Sequence, residues 1–182
     1  MPEIDTNLDS IDPGAPVPVF SAESCPRITD PATGEPLVVP SFATLDQARE
    51  RAQREKNGDL HRLRFFLDHG HEWPLWDTRC GYTAEPSCYG LSLGLVEKIA
   101  AWSDTWRNAA NELLRGPDIN VPLVLDASWY QTGWALARST AQEIWHMGDV
   151  FPEFLNGLRP ASCRARSGYV RTGFSQQHRR PE

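Results

Sequence analysis

Two histidines one residue apart, His69 and His71, stand between the acidic residues Asp68 and Glu72, with Asp77, Cys80 and Cys88 following. In an extended chain, residues two apart point to the same side, so both imidazoles would face one way. Thiolates from Cys80 and Cys88 would then complete a tetrahedral zinc set. The spacing departs from that of structural zinc sites, whose cysteines come in pairs two to four residues apart. The plainer reading is a polar strand end followed by a turn, with no cofactor. Without a metal, His69 or His71 is a candidate general base, oriented by Asp68 or Asp77, because imidazole titrates near neutrality and a carboxylate can fix its tautomer. The His-Glu-x-x-His metalloprotease pattern and the Gly-x-x-x-x-Gly-Lys phosphate loop are both missing and no Gly-x-Ser-x-Gly elbow is expected, so no residue is assigned a catalytic role.

The same stretch carries Trp73, Trp76, Tyr82 and Tyr89 outside any helical stripe. Aromatic side chains in a loop either pin the loop to the core or stand ready as anchors for a protein partner, where Trp and Tyr dominate binding energy. The chain has seven tryptophans in 182 residues, more than a small core needs, and these four aromatics are the candidate partner-binding set. A second candidate surface is the basic end, with Arg159, Arg164, Arg166, Arg171, Arg179 and Arg180. Tyr169 and Phe174 are its only aromatics, and the net charge of −6 opposes general phosphate binding, so nucleic acid is a weaker expectation than protein.

These residues need elements to hold them. Thr44-Leu-Asp-Gln47 fits a capping box, and Asn57-Gly58 supplies a left-handed stop, so a helix lies between them. Its apolar stripe of Leu45, Ala48 and Ala52 is thin, which marks a surface helix. The run Leu60 to Asp68 alternates and reads as a strand; His69 to Gly90, rich in Gly, Pro and aromatics, reads as an ordered loop. Ser92 caps the strongest helix, which ends at Gly116-Pro117. Its buried face carries Leu95, Ile99, Trp102, Trp106, Ala109, Ala110 and Leu113. Val121 to Leu125 is a short edge-strand candidate weakened by Pro122. Another helix starts within Asp126 to Gln131, with Ser128-Trp-Tyr-Gln131 as a capping box. It presents Tyr130, Trp134, Ala137, Ala141 and Trp145, and its Gly133 admits a close neighbour. Val150 to Leu155 reads as a strand and Asn156-Gly157 as a hairpin turn.

The fold class is therefore α+β: a small sheet packed by two Trp-bearing amphipathic helices, with a surface helix and disordered ends. Residues 1–40 form a Pro-rich acidic arm, 41–160 a single globular domain and 161–182 an Arg-rich flexible tail. In the arm, Pro13, Pro16, Pro18, Pro26, Pro31, Pro36 and Pro40 each remove a backbone donor, and Leu37, Val38 and Val39 form its one apolar run. Met1 to Ser10 lacks a signal-peptide pattern, and no stretch approaches the roughly 20 apolar residues that span a bilayer. The chain is thus expected to be cytoplasmic, with Cys25, Cys80, Cys88 and Cys163 as thiols.

The stretches LRFFLDHGHEWPLWD and GYTAEPSCYGLSLGLVEKIAAWSDTW, within Leu60 to Trp106, resemble small uncharacterised actinobacterial proteins. Those proteins share a β-type run, a Pro-Leu-Trp turn, a Gly-Leu-Ser helix start and a Trp-bearing amphipathic helix. The resemblance implies a bacterial cytoplasmic setting and a compact α+β module, and it transfers no catalytic residue. Function is read first as a non-enzymatic protein-interaction module, an immunity-type inhibitor or regulatory adaptor. The alternatives are a small metal-assisted hydrolase using His69 and His71, and a nucleic-acid accessory protein using the tail.

Overall fold

Thr44 accepts a hydrogen bond from the Gln47 amide at 3.2 Å while the Gln47 side chain accepts from the Thr44 amide at 2.9 Å, so the capping box closes as its sequence requires. In the computed structural model, which describes residues 8–21, 25–116, 123 and 125–157, this helix is α1, Leu45–Asn57. The other elements in chain order are β1 (Arg27–Thr29), β2 (Pro36–Val38), β3 (His61–Phe65), β4 (Leu75–Asp77), β5 (Tyr82–Thr83), α2 (Leu93–Arg115), α3 (Ala127–Glu143) and β6 (Gly148–Phe151). The architecture is α+β. A four-stranded sheet runs β5-β4-β3-β6, with β3 antiparallel to β4 and parallel to β6, and β1 and β2 form a separate hairpin.

Leu63 and Phe65 alternate inward from β3 and are fully buried, and Leu75 and Val150 join them from the neighbouring strands. The two tryptophan helices cover this layer. From α2 come Leu95, Ile99, Trp102 and Ala110; from α3 come Trp129, Tyr130, Trp134, Ala137 and Ala141. Trp106 is half-buried at the edge of the same cluster.

Trp102 and Trp129 stack with ring centroids 4.5 Å apart and planes 16° apart. Each indole also donates its Nε1–H to the other residue's backbone carbonyl, at 3.0 and 3.2 Å. Buried indole donors need such partners, and here each helix supplies the other's. Phe65 stacks on Trp102 and Phe154 meets both indoles edge-on, which locks the helix pair onto the sheet. Gly133 makes room for the clasp: a Cβ there would lie 2.6 Å from Trp102 Cζ2 and 2.8 Å from Phe154 Cε2.

The arm is draped rather than loose over its described residues. The Val17 amide donates to the Val150 carbonyl at 2.8 Å, along the open edge of β6, and Val17 and Leu37 are buried. Phe20 and Phe42 both meet Trp145 edge-on. Asp30, buried in the hairpin, accepts from Arg49 of α1 through both Nε and Nη2, so the hairpin is fastened to α1 by a charge-assisted fork. Arg49 is the main cause that holds the Asp30 carboxyl down to about 2.

Four expectations change. The span His69 to Gly90 is not all loop: it holds β4, β5 and two short 3-10 turns, Thr78–Cys80 and Pro86–Tyr89. Three residues are too few for a periodic pattern, and it is backbone pairing of Leu75 with Phe65 and of Trp76 with Arg64 that makes β4 a strand. The cap of α3 is Asp126, which accepts from the Trp129 amide, while Ser128 donates its hydroxyl to Asp126 instead of capping. The last strand ends at Phe151 because Pro152 has no amide to pair, and a 3-10 turn, Glu153–Gly157, stands where the hairpin was expected. The strand expected at Val121–Leu125 lies largely outside the described residues, as does the Arg-rich tail.

Two outcomes follow for stability. Gly133→Ala pushes a methyl group into the indole clasp and is expected to destabilise the fold by about 1–3 kcal/mol, the usual cost of overpacking, read as a lower urea midpoint; an unchanged midpoint would show that the clasp tolerates separation. Asp30 ionises at about 2 in the fold against 3.8 as an isolated group, so its contribution is complete well above pH 3.8 and disappears as the pH falls through 2. The stability gap between wild type and Asp30→Asn should therefore close over that window in acid unfolding, and a gap independent of pH would refute the assignment.

Candidate metal centre

At the β5 end of the sheet, three titratable side chains converge. His61 opens β3, Asp77 closes β4 and Cys80 ends the 3-10 turn that follows. The cross-strand register brings the first two together, since Arg64 pairs with Trp76 and the strands run in opposite directions. On the other side of β3, His61 is paired with Gly148, where any Cβ would collide with the His61 backbone carbonyl. That glycine allows the two strands to meet and so fixes where His61 stands.

His61 donates from Nδ1 to Asp77 Oδ2 at 2.6 Å, and the Tyr89 hydroxyl donates to the same oxygen at 2.7 Å. The Arg79 amide donates to Asp77 Oδ1 at 2.9 Å, so one carboxylate both caps the turn carrying Cys80 and receives two side-chain donors. One ligand atom from each of His61, Asp77 and Cys80 lies within 4.8 Å of the others. Asp77 is 2% exposed, and His61 and Cys80 are half-buried.

Burial pushes the Asp77 carboxyl upward, but the hydrogen bonds from Tyr89, the Arg79 amide and His61 outweigh it and leave the group below its ordinary value. Asp77 is therefore an anion in the interior. Burial, and then the bond to Asp77, pushes the Tyr89 phenol well above its ordinary value. Asp30 and Asp77 are the two buried carboxylates among the described residues, and they are compensated differently. Asp30 has the Arg49 guanidinium, whereas the guanidinium of Arg79 turns away from Asp77 to Asp59 and to the Gly58 carbonyl.

The turn after Cys80 is unusual. Gly81 and Tyr82 both have positive φ, 88° and 79°, and a tyrosine in that region is strained. Tyr82 remains 55% exposed, with its ring edge-on to Trp76.

The residues singled out by sequence separate in space. Cys80 enters the cluster, whereas His69, His71 and Cys88 do not. His69 lies against Trp106 with centroids 4.9 Å apart, His71 against Trp76 at 4.2 Å, and Cys88 is exposed on the Pro86–Tyr89 turn. Asp77 meets His61, not the His69 or His71 that it was expected to orient. Of the aromatic set, Trp76 is interior, stacked on Phe66 and donating to its carbonyl, and Tyr89 is buried over Asp77. Trp73 is half-buried against the core, and Tyr82 alone of the four is open.

Gly90-Leu91-Ser92-Leu93-Gly94 has the Gly-x-Ser-x-Gly spacing of a nucleophile elbow. Its context differs: a 3-10 turn rather than a strand precedes it, Ser92 has an unstrained φ of −62°, and its hydroxyl donates to Glu143 at 2.7 Å. It is a helix start tied to α3, and its hydroxyl, though exposed, is engaged by Glu143.

A second feature is a groove of about 560 Å³ on the outer side of the helix pair. Small residues, Ala101 and Thr105 on α2 and Thr132, Ala135 and Ser139 on α3, make much of its wall, with Lys98, Asp126 and Leu136 also lining it and Trp102 and Trp129 largely buried beneath. No helix among the described residues is long and apolar enough to cross a membrane. Comparison with protein families, curated proteins and solved structures finds no match to this chain.

Proposed function

We propose that this chain is a cytoplasmic metal-binding module that holds one divalent transition-metal ion, zinc by its donor chemistry, on His61, Asp77 and Cys80. The observation that carries the reading is the convergence of these three donors around a buried carboxylate that, among the described residues, no guanidinium neutralises. A nitrogen, an oxygen and a sulfur donor together suit zinc, while magnesium and calcium prefer oxygen alone. A thiolate formed beside Asp77 would place two negative charges within 4.8 Å in a low-dielectric setting, and a dication offsets both. Three protein ligands leave a fourth position for water, the arrangement of zinc sites that act as Lewis acids. A hydrolytic role for this protein would therefore run through His61, Asp77 and Cys80 rather than through His69 and His71.

The reading is tested on purified, reduced protein by zinc and cobalt titration with elemental analysis. Wild type should bind one ion, and the cobalt complex should show thiolate charge transfer. His61→Ala and Cys80→Ser should each weaken binding at least about tenfold, no less than the loss of an orienting partner. His69→Ala, His71→Ala and Cys88→Ser should bind as wild type. Absence of stoichiometric binding, or loss on changing His69 instead of His61, would sink the assignment.

The groove between α2 and α3 favours a second reading, a protein-interaction module that seats an amphipathic helix of a partner. Small wall residues allow a third helix to approach closely. Ala135 is exposed on the wall, so Ala135→Arg should melt with wild type. A host protein retained by wild type and lost on this variant supports the reading; equal retention by both rejects it.

A further inference from the structure

Asp77 Oδ2 accepts from two side chains at once, His61 Nδ1 at 2.6 Å and the Tyr89 hydroxyl at 2.7 Å. These two donors differ in what happens when His61 ligates through Nδ1, the ring nitrogen that faces Asp77. An imidazole nitrogen that binds an ion offers a lone pair instead of a proton, so ligation through Nδ1 ends its bond to Asp77. Tyr89 has no such conflict. Its hydroxyl stays on Oδ2 and the Arg79 amide stays on Oδ1, so both carboxylate oxygens remain tethered and the remaining lone pairs keep their direction.

The fold places Tyr89 for this task with some care. It ends the Pro86–Tyr89 turn, which Gly90 closes in a left-handed conformation with φ 61° while its amide donates to the Pro86 and Ser87 carbonyls. The ring is 5% exposed and meets the His61 ring edge-on at 6.0 Å, so it also limits how His61 can rotate. Of the tyrosines Tyr82, Tyr89 and Tyr130, Tyr89 is the one whose hydroxyl is bonded to a member of the cluster.

We infer that Tyr89 is the positioning residue of the His61–Asp77–Cys80 site, orienting the Asp77 carboxylate toward a bound ion without itself becoming a ligand. The inference rests on the metal-binding reading above, and outer-shell partners of this kind typically alter metal affinity 10- to 100-fold.

Cobalt titration of wild type, Tyr89→Phe and Tyr82→Phe tests it. Tyr89→Phe should still take one cobalt ion and reach the wild-type thiolate charge-transfer intensity at saturation, because all three ligands remain. Its half-saturation point should move about 10- to 100-fold higher. Tyr82→Phe, altered at an exposed ring, should titrate as wild type. The dissociation constant and the saturated spectrum separate positioning from a purely structural role, and circular dichroism of the metal-free variants confirms that each is folded. Wild-type affinity in a folded Tyr89→Phe would overturn the inference while leaving the metal site standing. Failure of the wild type to bind cobalt would remove both. A second measurement needs no variant: cobalt added to wild type should produce no tyrosinate absorbance. Its appearance would make Tyr89 a ligand and overturn the positioning role even if Tyr89→Phe did not fold.

Discussion

The reciprocal clasp of Trp102 and Trp129 is the contact on which the rest of the architecture depends. Two indoles give each other a stacked face and a backbone acceptor, so neither buried N–H is left unpaired and neither helix can slide without breaking both bonds. Gly133 sets the separation between α3 and the Trp102 ring, and Phe154, delivered by the turn after β6, closes the remaining side. Phe65 carries the same contact into β3. The helix pair thereby fixes the central strand, and the central strand carries His61 at its start. A site where β3 begins and β4 ends thus inherits its precision from an aromatic cluster in the core.

How much of this the amino-acid order made legible depends on whether the cause was local. The start of α1 is written in Thr44 and Gln47, its stop in Gly58, and the buried faces of α2 and α3 in their 3.6-residue spacing, all of which act within a turn or two. The close approach at Gly133 was legible for the same reason. What failed was short or competitive. Leu75–Asp77 becomes a strand through pairing with residues about ten positions earlier, which no local pattern encodes. At the head of α3 two capping candidates compete, and Asp126 wins because it reaches the Trp129 amide while Ser128 spends its hydroxyl on Asp126.

The candidate site shows the same division more sharply. His69 and His71 are one residue apart in sequence, yet each rests on a different tryptophan, Trp106 and Trp76. His61 lies in a run whose alternation marks a strand and says nothing of what its side chain meets. Its partner Asp77 is 16 residues away, and only the β3–β4 register brings the two within 2.6 Å. The readable signal was Asp77 itself, an acid at the end of an apolar Leu-Trp pair: a carboxylate there must be met by donors wherever the chain folds.

That requirement also explains why Asp77 and Asp30 should not be expected to behave alike. Asp30 is matched by a permanent cation on α1, so its charge is balanced within the fold and its role ends in fastening a hairpin. Asp77 is met by a phenol, an amide and an imidazole, donors that lower the cost of the anion without cancelling its charge permanently. Arg79 lies within the turn that Asp77 caps yet sends its guanidinium elsewhere, to Asp59 and Gly58. A fold that only needed Asp77 neutralised had a guanidinium within two residues. The convergence of this carboxylate with an imidazole and a thiol on a strained turn is what distinguishes this corner from an ordinary buried hydrogen-bond network.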